Sequence, residues 1–102
     1  MSESHLRDLR NGLERRSWRV TQELPGDNYR ISAVWEVARP DGKQMFHLEF
    51  QGLDESAVLP IERAYACNIR EAPDVSAYFA RLGRAWPEEL QAFLEKLDAW
   101  AT

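Results

Sequence analysis

The sequence is poor in the features that mark secreted and membrane-inserted chains. Its single cysteine, Cys67, cannot form a disulfide within the chain. The N-terminal segment MSESHLRDLR lacks the apolar run of a signal peptide, and no segment approaches the roughly 20 apolar residues of a membrane helix. We therefore expect a cytoplasmic protein that makes no contact with a membrane.

Glycine is scarce, and the motifs of well-marked enzymes are missing. The five glycines are isolated from one another, which excludes a dinucleotide-binding fingerprint and a phosphate-binding loop. Paired cysteines for zinc, HExxH and GxSxG are also absent. We expect no cofactor and no metal, and the sequence favours a non-enzymatic protein, although these absences say little about enzymes without a known motif.

An excess of positive charge is also lacking, since 17 acidic residues outnumber 13 basic ones and the net charge is −4. This balance argues against nucleic acid as a partner. Five arginines nevertheless stand in the first 20 residues, and four acids stand against one lysine after residue 86. Such ends are commonly solvated faces, but a basic partner site that includes Arg15 and Arg16 is the alternative.

Aromatic and aliphatic residues are plentiful in what remains. Hydrophobic residues make up 44% of the 102 positions, with four tryptophans, four phenylalanines and three tyrosines. This composition is too apolar for intrinsic disorder, and the length suits one folded unit. We expect a single domain that spans residues 1–102.

Residues 29–51 predict a β-hairpin, because apolar residues alternate on both sides of Pro40-Asp41-Gly42. An even register places three apolar pairs on one face: Val37 with Phe46, Trp35 with Leu48, and Ala33 with Phe50. The other face then carries Ala38 with Met45, Glu36 with His47, and Val34 with Glu49. A glycine bulge in the turn would shift the pairing by one, but burial favours the even register.

Two further strands and three helices are predicted around this hairpin. Leu6, Leu9 and Leu13 indicate an N-terminal amphipathic helix capped by Ser2 or Ser4. Residues 17–24 predict a first strand with Trp18, Val20 and Leu24 on one side, and residues 61–69 predict a fourth strand.

Two helix starts are predicted in the last third of the chain. Ala72-Pro73-Asp74 precedes Val75, Tyr78, Phe79 and Leu82 at helical spacing, with Gly83 as a stop. A second helix begins at Trp86-Pro87 and continues to the C-terminus. The predicted fold is α+β: a four-stranded antiparallel meander, with the N-terminal helix and two C-terminal helices packed on its apolar face.

The candidate chemistry lies on the polar face of the hairpin, where Glu36, His47 and Glu49 come together. A Glu36–His47 pair could transfer protons, and two carboxylates with an imidazole could hold a divalent metal. An ordinary cross-strand charge pair is the simpler interpretation. Arg30, at the start of the hairpin, could neutralise an anionic substrate. Cys67 should point away from His47, as a buried and inert thiol.

Three functional hypotheses follow. The first is a non-enzymatic adaptor, inhibitor-like or chaperone-like module, which could be a homodimer. It would bind a protein partner through Trp86, Trp100, Arg15 or Arg16, or through the first or fourth strand as a free sheet edge. The second is a small enzyme or ligand-binding domain that uses Glu36, His47 and Glu49. The third, nucleic-acid contact, would require Arg7, Arg10, Arg15, Arg16 and Arg19 to form one stripe, and the acidic total weighs against it.

Overall fold

The computed structural model describes residues 3–27, 29–54, 57–79 and 86–101, and these residues form an α+β fold. A five-stranded antiparallel sheet runs in the order β1-β2-β3-β6-β7. The elements are α1 (Glu3–Arg15), β1 (Arg19–Pro25), β2 (Ile31–Ala38), β3 (Met45–Gln51), β4 (Leu53–Asp54), β5 (Ala57–Val58), a 3-10 turn (Ile61–Arg63), β6 (Ala66–Ile69), β7 (Ala72–Tyr78) and α2 (Trp86–Ala101). The short strands β4 and β5 pair with each other in a separate two-stranded sheet.

The central hairpin has the even register that the sequence predicts. Trp35 lies opposite Leu48, Val37 lies opposite Phe46, and all six predicted pairs are present. The Trp35 and Phe50 rings meet edge to face, with their centroids 4.7 Å apart. Because the apolar members of both strands are buried on one side, a one-residue slip would expose the core.

Strand β1 differs from the prediction because it contains a bulge. The pairing with β2 shifts between Val20 and Gln22, so Val20 lies on the core face, opposite Val37, whereas Leu24 lies on the other face, opposite Val34. The single apolar side predicted for Trp18, Val20 and Leu24 was therefore wrong. An extra residue in one strand reverses the facing of every residue after it.

The segment predicted as the first C-terminal helix is instead strand β7. Ala77 lies opposite Cys67 and Ser76 lies opposite Asn68, so the sheet gains a fifth strand. Val75, Ala77 and Phe79 are buried, whereas Tyr78 is exposed, which is the two-residue period of a half-buried strand. The part of the prediction that falls on residues 80–83 lies outside the described residues. The predicted fourth strand is shorter than expected, since residues 61–63 form the 3-10 turn and β6 begins at Ala66.

Helices α1 and α2 cover one face of the sheet, and the N-terminal and last helices are thus confirmed. Leu9 and Leu13 of α1 and Phe93 and Leu97 of α2 belong to the same buried cluster as Trp35 and the other core residues. The caps predicted at Ser2 and Ser4 lie outside the described side chains. With 13 and 16 residues, neither helix described here has the length and apolar character to cross a membrane.

The two helices approach each other closely at Gly12. A Cβ atom at this position would lie 2.8 Å from Cδ1 of Leu94, which is inside van der Waals contact. The turn between β2 and β3 also contacts the C-terminal ends of both helices. The guanidinium of Arg39 stacks on the Trp18 ring and donates to the carbonyl of Arg16, and Gln44 donates to the carbonyl of Ala101.

Candidate functional site

The face of the sheet that points away from the helices is polar, and we call it the open face. The strand registers place on it Gln22, Leu24, Val34, Glu36, Met45, His47, Glu49, Gln51, Asn68, Ser76 and Tyr78. Both described helices pack on the opposite side, within the buried cluster. The open face therefore presents its side chains without a covering helix from the described part of the chain.

The three residues predicted to form a site are neighbours on the open face, but each has a different partner. Glu36 lies opposite His47 in the register, yet its carboxylate accepts a hydrogen bond from Thr21 at 3.1 Å. The imidazole of His47 is instead 2.8 Å from the carboxylate of Glu71, through its Nδ1 atom. The backbone N–H of His47 donates to the other oxygen of Glu71 at 2.9 Å.

Glu71 accepts hydrogen bonds from both the ring and the backbone of His47, and these bonds change the pKa of its carboxyl group. Partial burial of this carboxyl raises its pKa, but the hydrogen bonds from the His47 ring and the His47 backbone lower it, and the pKa of Glu71 falls below its ordinary value. The carboxylate is thus the preferred form in the folded protein. A proton-transfer pair on this face would consist of His47 and Glu71 rather than His47 and Glu36.

Glu49, the third predicted residue, forms an ion pair with Arg70. The Nε atom of Arg70 donates to a Glu49 oxygen at 2.9 Å. The carboxylate side chain retains only 20% of its exposure, whereas the guanidinium side chain retains 50%. Glu49 therefore fixes the orientation of the guanidinium of Arg70, whose side chain remains half exposed.

Sequence reasoning missed Arg70 and Glu71, which form the turn between β6 and β7. The two residues stand between Ile69 and Ala72, which are partners in the sheet. A signal existed, because Val75-Ser76-Ala77-Tyr78-Phe79 alternates at period two. A strand there would have made Arg-Glu a two-residue hairpin turn beside the end of the central hairpin.

A wide concavity lies at one end of the open face, and we call it the sheet hollow. Its volume is about 680 Å³. It is lined by Arg30, Glu49, Gln51, Ala66, Cys67, Asn68, Arg70, Pro73, Ser76 and Tyr78. The Tyr78 side chain is 65% exposed, and the amide of Gln51 donates to the side-chain oxygen of Asn68 at 2.6 Å. Arg30, which the sequence suggested as an anion partner, is part of this wall.

Cys67 belongs to the core side of β6 and is unsuited to nucleophilic chemistry. It lies opposite Phe50, and its side chain is fully buried, although it also borders the floor of the sheet hollow. Burial raises the pKa of the thiol to about 12, so the thiol stays protonated at neutral pH. His47 lies on the opposite side of the sheet from this thiol.

A second concavity, the helix groove, runs between α1 and α2. Its volume is about 220 Å³, and its lining consists of Asp8, Asn11, Gly12, Arg15, Arg16, Trp86, Pro87, Leu90, Gln91 and Leu94. Three of the four predicted partner residues, Arg15, Arg16 and Trp86, thus meet at one place. The fourth, Trp100, lies against Phe46 with ring centroids 5.9 Å apart and is 38% exposed.

These surfaces offer paired charges, hydrogen-bonding groups and one small concavity between the helices. Within the described ranges, no three histidine, cysteine, aspartate or glutamate side chains come together as metal ligands. The imidazole and the carboxylates of the open face are already engaged in pairs. The chain matches no protein-family model, no curated protein and no solved structure at a significant level.

Proposed function

We propose that this protein is a non-enzymatic protein-interaction module that holds an amphipathic helix of a partner protein in the helix groove. The observation that carries this proposal is the convergence of Trp86, Arg15 and Arg16 on one concavity with an apolar floor. Two parallel or antiparallel helices offer a seam into which a third helix can place its apolar side chains.

The floor of the helix groove suits one large apolar side chain. Leu94 and Trp86 are buried beneath it, and Gly12, which has no side chain to project into the groove, lets Leu94 pack directly against α1. Its volume of about 220 Å³ is below the roughly 300–1,000 Å³ of pockets for drug-sized ligands. It is therefore an anchor pocket for a side chain, of the kind that carries most of the energy in protein interfaces.

Arg15 gives the rim of the helix groove one positive charge, unpaired among the described residues, for an acidic partner residue, although Asp8 on the same rim is negative. The Nε atom of Arg16 is paired with Asp98 at 3.0 Å, and the Trp86 indole N–H donates to Asp8 at 3.2 Å. The exposed guanidinium of Arg15, in contrast, forms no ion pair with any residue in the described ranges. A partner helix with a glutamate or aspartate near its apolar anchor would complement this charge.

A peptide-binding experiment tests the proposal. The probe is an amphipathic peptide of about 18 residues, long enough to form a helix, with a phenylalanine anchor and a glutamate four residues away. We expect binding that perturbs the indole N–H resonance of Trp86 and the amides of residues 11–15. Alanine in place of the anchor should weaken binding about 30-fold, and glutamine in place of the glutamate about two- to fivefold.

Two variants connect the peptide to the groove. Arg15→Glu should reverse the preference between a glutamate and a lysine peptide, and Asn11→Trp should block binding by filling the groove. Arg63→Glu changes the same charge on an exposed 3-10 turn and serves as the matched control. Binding that is unaffected by Arg15→Glu and Asn11→Trp would refute the proposal. So would a concentration-dependent homodimer that Arg15→Glu dissolves, because a second copy would then occupy the groove.

The second candidate function, a small enzyme or ligand-binding domain on the open face, is favoured by the His47–Glu71 pair. A carboxylate 2.8 Å from Nδ1 orients the imidazole and leaves Nε2 for a substrate. With p-nitrophenyl acetate as the probe, this function requires turnover that falls in both His47→Gln and Glu71→Gln but not in Arg63→Gln. Equal rates in all four proteins would exclude general-base hydrolysis at this pair.

A further inference from the structure

The sheet hollow has the size of a ligand site, and its wall is rich in hydrogen-bond donors. Its volume of about 680 Å³ falls within the range of small-molecule and cofactor sites. Two arginines, Arg30 and Arg70, line the hollow together with the hydroxyl-bearing residues Ser76 and Tyr78. This surface lies on the other side of the sheet from the helix groove and is independent of the function proposed there.

The guanidinium of Arg70 is positioned before any ligand arrives. Glu49 accepts a hydrogen bond from Nε and is largely covered, whereas the guanidinium is half exposed. The two Nη atoms form no hydrogen bond with any group in the described ranges and remain available as a fork for a planar oxyanion. Fixing a long side chain in this way lowers the entropy lost when a ligand binds.

Arg30 decides the charge of the ligand. Glu49 neutralises Arg70, so the hollow retains one positive charge from Arg30, whose guanidinium pairs with no described acid. The backbone of Arg30 is itself fixed, because its N–H donates to Asp27 at 2.9 Å and its carbonyl accepts from Gly52 at 2.8 Å. A single positive charge matches a carboxylate better than a phosphate that carries close to two negative charges at pH 7.

We infer that the sheet hollow binds a monoanionic carboxylate between Arg30 and Arg70, with the rest of a polar ligand lying along Gln51, Asn68 and Tyr78. The carboxylate can belong to a peptide C-terminus or to a small free acid. Both sources present the same planar group to the two guanidiniums. The amide pair of Gln51 and Asn68 retains a carbonyl oxygen and N–H groups for the polar body of the ligand.

NMR titration of the labelled protein tests this inference with four probes: acetate, inorganic phosphate, an N-acetylated tripeptide with uncharged side chains and a free C-terminal carboxylate, and the same N-acetylated tripeptide with an amidated C-terminus. With the tripeptide that has a free carboxylate, we expect saturable shifts of the backbone N–H resonances of Gln51, Asn68, Ser76 and Tyr78. With the amidated tripeptide, we expect no shifts. Tighter binding of the tripeptide than of acetate assigns the site to a peptide terminus, and equal binding assigns it to small free acids. Either result supports the carboxylate site.

Arg30→Gln and Arg70→Gln should each weaken carboxylate binding at least about tenfold, because each removes a charge-assisted hydrogen bond. Arg63→Gln is the matched control and should change nothing. Thermal unfolding of each variant checks that the exposed substitutions leave the fold intact. The inference is overturned by an absence of saturable shifts, by equal binding of the amidated tripeptide, by phosphate binding more tightly than carboxylate, or by unchanged affinity in folded Arg30→Gln.

Discussion

Replacement of Gly12 by alanine should destabilise the protein, although alanine is the better helix former. In a helix that is free of contacts, this change stabilises by about 1 kcal/mol. Here the new Cβ would lie 2.8 Å from Cδ1 of Leu94, the end of a buried side chain in the core cluster that must shift to make room. Overpacking of this kind costs about 1–3 kcal/mol, so we expect a net change between neutrality and a loss of about 2 kcal/mol.

The same substitution should have the opposite sign once Leu94 is shortened. In a Leu94→Ala background, which itself should cost about 2–5 kcal/mol, the Cβ of alanine at position 12 has room, and only the helix propensity remains. Gly12→Ala should then stabilise by about 1 kcal/mol. The double-mutant cycle therefore predicts a coupling of about 1–3 kcal/mol between positions 12 and 94.

Urea unfolding followed by tryptophan fluorescence and by far-ultraviolet circular dichroism measures this cycle, provided that the two transitions coincide. Sodium sulfate can raise the stability of the double variant if its folded baseline is short. Asn11→Ala, on the exposed neighbour of Gly12, is the control and should have the same effect in both backgrounds. If Gly12→Ala stabilises equally in both, α1 and α2 do not meet at Leu94 and the helix groove lacks its floor.

Three further outcomes are expected. Arg39→Met should lower the free energy of unfolding by about 1–2 kcal/mol in urea, because it removes the guanidinium that lies 4.0 Å above the Trp18 ring and donates to Arg16, whereas Arg63→Met should have an effect within about 0.5 kcal/mol. Glu71→Gln should lower the free energy of unfolding by at most about 1 kcal/mol at pH 7. Because the pKa of Glu71 is lowered in the folded protein, its carboxylate stabilises the fold above the unfolded pKa of about 4.3, and this stabilisation is lost as the pH falls through the lower folded pKa. The urea unfolding curves of the wild-type protein and of Glu71→Gln should therefore converge at acid pH. The buried thiol of Cys67, with a pKa of about 12, should react with Ellman's reagent at pH 8 only as fast as the protein unfolds locally or globally. If the native protein is labelled as fast as the urea-unfolded chain, the thiol is not buried.

The central hairpin could be predicted down to its register because burial on one face leaves few alternatives. Trp35, Val37, Phe46 and Leu48 must share a side, and only the even register lets them do so. The bulge in β1 carries no comparable signal. Gln22 interrupts the alternation of apolar residues in β1, and the bulge lies at this interruption. From the sequence alone, however, a polar residue in an apolar row can equally be a regular strand residue, so the pattern does not identify a bulge.

Strand β7 was predicted as a helix because its residues satisfy both periods. Val75, Tyr78 and Phe79 fit the spacing of a helix, whereas Val75, Ala77 and Phe79 fit the spacing of a strand. Pro73 suits the first turn of a helix and also an edge strand, where its missing N–H is not needed. The choice is made by tertiary pairing with β6, and the turn between the two strands lacks the glycine or asparagine that would have announced a hairpin.

The same error explains why the partners within the candidate site were misassigned. Glu36 and His47 are opposite each other, but proximity in a register does not decide which pair of side chains forms the stronger contact. The turn of the β6–β7 hairpin brings Glu71 to the ring and to the backbone N–H of His47, so one carboxylate satisfies two donors. Thr21, on the bulged strand, then satisfies Glu36. An ionisable pair on a sheet can therefore be assigned only after every strand and turn beside it is known. On the open face, the His47–Glu71 and Glu49–Arg70 pairs have already satisfied their charges. The sheet hollow is the better candidate for a ligand, because Arg30 on its wall has no acidic partner among the described residues.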